Sequence, residues 1–281
     1  IFSINAPTKI NLYLHVTARR ADGYHQLDSL VAFADVGDTL GAGPADELSL
    51  HLEGRFAGAV PRGEDNLVVK AARRLAEGAG IEAAAAITLV KDLPPASGIG
   101  GGSADAAAAL RVLSRLWGVA MDEAALMALA FSLGADVPVC LFGRCAQLGG
   151  AGERIEAGPP LPPAWLVLAN PGVSLATPAV FAAFQGPFSG PAPIEKAPAD
   201  ARALARLLED RGNDLGEVAC QLAPEVGVAL VELAALPGAL LARMSGSGAT
   251  CFALFAEAGA ADAAARTLSS AHPEWWVKAA K

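Results

Sequence analysis

Pro94-Pro95-Ala96-Ser97-Gly98-Ile99-Gly100-Gly101-Gly102-Ser103-Ala104-Asp105-Ala106-Ala107 carries four glycines within five residues. The run Ala86–Val90 before it reads as a strand. The Ala-rich run from about Ser103 to Trp117 reads as a helix, closed by Gly118. Glycines without a Cβ let backbone N–H groups approach a ligand closely. A helix N-terminus adds unpaired N–H groups and the positive end of a dipole. Together these favour an anion, phosphate foremost. The loop is not a Walker A loop, because no Gly-Lys-Ser/Thr closes it. It is not the dinucleotide fingerprint either, because Ser103 stands where the third glycine belongs. From the glycines alone, a tight turn with close strand–helix packing stays open as the alternative.

Composition narrows the classes. At 281 residues the chain has room for one large domain or two ordinary ones. The formal charge of −8 and the lack of a Lys/Arg cluster argue against a nucleic-acid partner. The longest uncharged stretch, 157–194, holds nine prolines, so it predicts no spanning helix and no membrane partner. No signal peptide is visible, and the start at Ile1 without Met predicts that native residues precede this numbering. Cys140, Cys145, Cys220 and Cys251 form no Cys-x-x-Cys pair and no His cluster joins them. They read as reduced core residues, with no protein metal cage and a cytoplasmic location.

Outward from the loop, Ile4 to Val16 alternates from Lys9 onward, with Lys9, Asn11, Tyr13 and His15 on one face. This reads as a half-buried strand whose polar face either meets solvent or lines a cleft. Arg19–His25 is a turn carrying Tyr24 and His25, which could hold a planar ligand or be a plain hairpin at Asp22-Gly23. Short strands are expected near Val31–Phe33 and Leu48–Leu52, and a helix from Asp65 or Asn66 to about Gly78. Asp122 caps a further helix ending at Gly134. Asp136 then stands in an apolar segment, where a carboxylate must be capped, paired or catalytic. Thr177-Pro178 reads as an N-cap followed by Pro at the first helical position. A Pro/Gly-rich seam near 155–163 and irregularly mixed strands and helices suggest an α+β chain of two lobes.

Pro7-Thr8-Lys9-Ile10-Asn11-Leu12, the loop Pro94–Ala107 and Gly246-Ser247-Gly248 together resemble the three motifs of the GHMP kinases. Arg20–His25, Leu133–Pro138 and Asn170–Ser174 are further similar to a branch of that superfamily acting on a cytidine-diphosphate-linked sugar alcohol in isoprenoid precursor synthesis. The resemblance implies a two-lobed α+β GHMP kinase fold with the active site in the cleft between lobes. It implies an N-terminal, ATP-binding domain over 1–157 and a C-terminal domain over 158–281. It implies ATP-dependent phosphorylation of an alcohol, with Mg²⁺ held mainly through the ATP phosphates.

The same resemblance distributes roles. Asp136 accepts or orients the hydroxyl proton, and Lys9 keeps it ionised and offsets charge on the phosphoryl group. Pro94, Pro95, Ala96, Ser97, Gly98, Ile99, Gly100, Gly101, Gly102, Ser103 and Ala104 wrap ATP, with Asn66 and Lys91 matched to the adenosine pocket. Asn11 bonds substrate, Tyr24 and Phe181 sandwich the cytosine, His25 reads its edge, and Gly246, Ser247 and Gly248 close the site. The chain departs from its relatives at Ala104, where a second Ser is common. Ala96 and Ser97 stand where glycine occurs, and Ala182 stands where a basic residue occurs. A mevalonate- or homoserine-type kinase, or a non-catalytic nucleotide-binding relative, remains the alternative. Nothing here specifies an oligomeric state.

Overall fold

A computed structural model describes residues 2–281. The chain opens with strands β1 (Phe2–Arg19), β2 (His25–Gly43) and β3 (Leu48–Glu53), then helix α1 (Leu67–Ala79) and strand β4 (Ala85–Val90). Helices α2 (Gly101–Trp117), α3 (Glu123–Leu133) and α4 (Val137–Phe142) follow. Next come strands β5 (Ala146–Gly150), β6 (Arg154–Ala157) and β7 (Trp165–Asn170). Helices α5 (Thr177–Ala183), α6 (Ala201–Glu209), α7 (Gly216–Leu222) and α8 (Pro224–Ala235) lead to strands β8 (Leu241–Met244) and β9 (Cys251–Phe255). Helix α9 (Ala258–Ala271) and strand β10 (Trp276–Ala280) complete an α+β chain. Residues 2–8, 37–95 and 100–143 form one compact unit, and residues 9–36, 96–99 and 144–281 a second.

In the first unit β4 is central. It pairs in parallel with β3, from Leu48↔Ala85 to Glu53↔Val90. On its other side it runs antiparallel to the end of β2, from Thr39↔Val90 to Gly43↔Ala86. α1 begins where the Asn66 side chain accepts the Val68 N–H at 2.9 Å, and it stops at Gly80, whose φ of 67° suits a residue without a Cβ. α2 buries Ala104 and Ala106 to Ala109 along one stretch, and such short side chains let neighbouring helices approach closely. Asp122 opens α3 by accepting the Ala125 N–H at 2.7 Å.

In the second unit an antiparallel sheet in the order β10-β7-β9-β8 carries the core. Val167, Ala169, Ala253 and Phe255 from its strands join Val226 and Leu233 of α8 and Leu268 of α9 in one apolar cluster. The beginning of β2 pairs antiparallel with β5, Leu27↔Gly150 to Val31↔Ala146, and β5 with β6. A buried arginine, Arg243, ties the unit's elements together. Its guanidinium donates to Leu12 O at 2.8 Å and Leu208 O at 2.7 Å.

Several sequence expectations change here. β1 is not half-buried, since every residue from Lys9 to Val16 is buried. Its polar face tolerates this because the side chains find partners: Tyr13 donates to Asp28 at 3.1 Å, and a His15 ring nitrogen lies 3.0 Å from Gly190 O. The short strand near Val31 is part of the 19-residue β2. Thr177 is the first residue of α5 and not its cap; Ala176 is the N-cap, and Pro178 follows at the second helical position. All four cysteines are free, but Cys145 and Cys220 are only half-buried, so they are not core residues in full.

Candidate active site

Three separated stretches meet in the second unit. Lys9 of β1 is buried, 4% exposed, and its ammonium donates to Asn11 Oδ1 at 3.0 Å. Asn11 Nδ2 in turn donates to Ser29 Oγ at 2.8 Å, which fixes the amide's orientation. The Lys9 N–H bonds to Ile99 O at 3.1 Å, so the tip of the glycine loop is held against β1. Ser245 adds the third stretch. Its hydroxyl accepts the Asn11 N–H and donates to Gly98 O, both at 3.1 Å. The Thr250 N–H bonds to Ser97 O at 3.0 Å.

The glycines here are required by contact. A Cβ on Gly98 would lie 2.7 Å from Gly248 N, and one on Gly246 would lie 2.7 Å from Gly98 O. Both residues also hold positive φ, 74° and 57°. Ser247 is buried, and its hydroxyl pairs with Thr177 Oγ1 at 2.8 Å. This ties the Gly246–Gly248 turn to the first residue of α5.

α5 also carries Phe181, one turn on. Its ring stacks on His25, with centroids 5.2 Å apart and 28° between planes, while Phe184 meets His25 edge-on at 6.1 Å. Burial, then the nearby Arg19 charge, lowers the His25 pKa below its ordinary value. The lowered pKa favours the neutral ring, in which one nitrogen is a donor and the other an acceptor. Tyr24 stands apart from that stack and is 66% exposed. Its backbone is fixed, because Arg20 N donates to Tyr24 O at 2.7 Å and Tyr24 N to Asp22 Oδ1 at 3.1 Å.

The first unit holds the other residues. Gly100 is the N-cap of α2 with φ 66°, and no side chain caps the helix, so its first amides are open to an anion. Pro94 is buried, Pro95 and Ser103 are half-buried, Gly102 is exposed, and Ala104 lies in the core. Ala96, in the second unit, holds a positive φ of 48° despite its Cβ. Asn66 uses both ends of its amide locally, since besides capping α1 it donates to Pro61 O at 2.7 Å. Lys91 is 2% exposed and bonds to Asp38 and Asp105. Asp136 is the N-cap of α4 in helical geometry, and its side chain caps no N–H there.

Residue typing gave no site role to Ser29, Ser245, Asp38 or Asp105, and read Thr177 only as a helix cap. Only Asp105 carried a signal, as a lone carboxylate in an alanine row that cannot be buried bare. Among the described residues no group of three or more His, Cys, Asp or Glu gathers as a metal cage, and no helix is long and apolar enough to cross a membrane. An Mg²⁺ ion here would draw most of its oxygens from phosphate, which suits a loop built from amides.

Known proteins resemble the chain over its whole length. Residues 66–144 match the GHMP kinases N terminal domain, and residues 195–274 match the GHMP kinases C terminal domain. The 4-diphosphocytidyl-2-C-methyl-D-erythritol kinase of Paramagnetospirillum magneticum is 56% identical over 280 residues, covering 100% of this chain and 98% of the relative. That of Rhodospirillum rubrum is 53% identical over 274 residues, covering 98% and 90%. A crystal structure of 4-(cytidine 5'-diphospho)-2C-methyl-D-erythritol kinase superposes with a TM-score of 0.80 at 35% identity, covering 99% of both chains. The Methanococcus jannaschii mevalonate kinase shares the fold, with a TM-score of 0.71 at 9% identity over 100% of this chain and 98% of that one.

Proposed function

The chain belongs to the GHMP kinases and, within them, to the 4-diphosphocytidyl-2-C-methyl-D-erythritol kinases, and from that premise we propose how its residues carry the reaction. It is an ATP-dependent phosphotransferase with an alcohol acceptor, in the methylerythritol phosphate route to isoprenoid precursors. The acceptor is the 2-hydroxyl of the methylerythritol moiety.

Asp136 takes or orients the proton of that hydroxyl. The Lys9 ammonium, aimed by Asn11, offsets the negative charge that builds on the transferring group. Phosphoryl transfer asks mostly for positioning and charge, so a buried, hydrogen-bonded lysine is worth more than a mobile one. The amides of Gly98 to Gly102 and the open start of α2 cradle the ATP phosphates, with Pro94 to Ala104 shaping the loop and Asn66 bordering the adenosine. Mg²⁺, when bound through phosphate oxygens, supplies charge neutralisation there. Tyr24 and Phe181 hold the cytosine between them, and neutral His25 reads its edge. Gly246, Ser247 and Gly248 complete the substrate side. The sequential division into 1–157 for ATP and 158–281, and a place in the cytoplasm, belong to the same reading.

The observation that carries it is the meeting of Lys9, Asn11, Gly98 and the Gly246–Gly248 turn through the Ser245 hydroxyl. The test is ADP release from Mg-ATP with 4-diphosphocytidyl-2-C-methyl-D-erythritol, run beside mevalonate and homoserine. Turnover on the cytidylated alcohol alone, with a new phosphomonoester in the phosphorus NMR spectrum, is expected. Turnover on mevalonate or homoserine instead would overturn the cytosine site and keep the kinase.

A further inference from the structure

Lys91 directly follows β4 and sits two residues before Leu93, where the chain enters the glycine loop. Its backbone is held on both sides: Lys91 N donates to Glu53 O at 2.7 Å, and Lys91 O accepts the Phe56 N–H at 2.9 Å. Its ammonium donates to Asp38 Oδ2 and, at 2.8 Å, to Asp105 Oδ2. Asp38 is wholly buried, and its Oδ1 accepts the N–H of Asp92 at 2.6 Å and of Leu93 at 2.8 Å. Asp105 belongs to α2, one turn past Gly101, where the chain leaves the loop. A Cβ on Gly101 would lie 3.4 Å from Lys91 Nζ, so the ammonium also lies against the start of that helix.

We propose that Lys91, Asp38 and Asp105 are positioning residues for the nucleotide, a clamp that joins the entering and leaving ends of the glycine loop. The proposal rests on the reading of that loop as the ATP phosphate site. Asp38 holds the incoming backbone, Asp105 is itself part of α2, and one ammonium joins them. The loop's glycines give it no stiffness of its own; Lys9, Ser245 and Thr250 hold its tip, and the clamp fixes its two ends. A buried cation with two carboxylates is a costly way to gain stability, since an apolar cluster of equal volume often does as well. Charge-assisted hydrogen bonds fix the direction as well as the spacing between two segments, whereas apolar contact is non-directional.

The charge balance agrees with this role. One ammonium and two carboxylates would leave a net negative charge next to a phosphate site. Asp105 Oδ1 is buried and meets no hydrogen-bond partner among the described residues. Burial pushes the Asp105 carboxyl up to about 7, with Lys91 opposing and Asp38 adding to the rise. Burial works against the Lys91 charge too, yet Asp105 and Asp38 together hold its pKa above the ordinary lysine value. A proton on Asp105 makes the clamp neutral overall.

The test compares Asp105→Asn with Asp105→Ala, both of which leave Lys91 paired with Asp38. Affinity for a non-hydrolysable ATP analogue with Mg²⁺ is measured by titration calorimetry, and KM for ATP and for the alcohol by steady-state kinetics. Asp105→Asn keeps an acceptor for Lys91 and is expected within about 3-fold of wild type, while Asp105→Ala weakens nucleotide binding at least about 10-fold. KM for the alcohol stays within about 2-fold in both, which a general loss of folding would not produce. Nucleotide binding by folded Asp105→Ala within about 3-fold of wild type, or an equal rise in both KM values, overturns the clamp. If Asp105→Ala does not fold, Asp105→Ser is read by the same criteria. Wild-type protein that binds no nucleotide overturns the ATP reading and the clamp's purpose with it. Wild-type binding without turnover counts against the alcohol alone.

Discussion

The imidazole of His25 lies on the ring of Phe181, 5.2 Å between centroids and 28° from parallel. The two residues come from β2 and α5, and Phe184 closes the edge of the pair at 6.1 Å. An aromatic face and the edge of an imidazole therefore stand side by side where the cytosine site is proposed.

Removing an aromatic face should therefore act on one substrate only. Phe181→Ala and Tyr24→Ala are expected to raise KM for the cytidylated alcohol roughly 5-fold each, from the loss of about 1 kcal/mol of stacking. KM for ATP stays near wild type. Steady-state kinetics with each substrate varied in turn checks this, and parallel rises in both KM values count against the cytosine site.

The His25 pKa lies below the ordinary histidine value of 6.5, from burial and then the Arg19 charge. A base with a lowered folded pKa binds fewer protons folded than unfolded across that window. Its contribution is present above the ordinary value and is lost as pH falls through the folded pKa. NMR titration of the ring should show a midpoint below 6.5, and His25→Gln should flatten the acid limb of the melting-temperature profile.

The Asp136 carboxylate caps no N–H of α4. Asp136→Asn keeps the size of the side chain and removes its charge. Its kcat should fall roughly 10²–10⁴-fold if it handles the hydroxyl proton. Nucleotide binding stays intact. Thermal melting, calorimetry and single-turnover rates separate these effects, and near-wild-type turnover would remove Asp136 from the chemistry.

Gly98 and Gly102 should respond differently to alanine. At Gly98 the φ of 74° and the backbone of Gly248 leave no room for a Cβ, so Gly98→Ala is expected to lose about 2 kcal/mol of stability and nucleotide affinity with it. At Gly102 a Cβ meets only Leu67 Cδ1, at an ordinary 3.5 Å. Gly102→Ala should melt at the wild-type temperature or slightly above, yet bind ATP more weakly if phosphates pass close to that backbone. Urea melts and calorimetry on the two variants check both halves.

Local signals in the chain foretold local structure. Asn66, Asp122, Gly118 and Gly134 mark helix ends in the sequence because capping involves residues a few positions apart. The resemblance brought out Lys9, the glycine loop and the late turn because their spacing and order are unusual together. The Lys91 clamp was invisible, since Asp38 lies 53 residues away in sequence and nothing around either residue requires the other. Alternation in β1 revealed two faces but not that both are buried, because hydrogen bonds to Asp28, Ser29 and Gly190 decide that from elsewhere in the chain. Thr177 looked like a cap because Pro178 suits the first or the second helical position equally, and Ala176 offers no side-chain cue.

Ser245 reaches back 147 residues to hold Gly98, and Thr250 reaches back slightly further to hold Ser97. During synthesis the glycine loop emerges long before those partners exist. A nascent chain halted near residue 240 carries the whole loop sequence and lacks what seats its tip. A chain stopped before Ser245 therefore carries the glycine-loop sequence without the hydroxyl that seats Gly98, and the shape of the loop depends on residues made long after it.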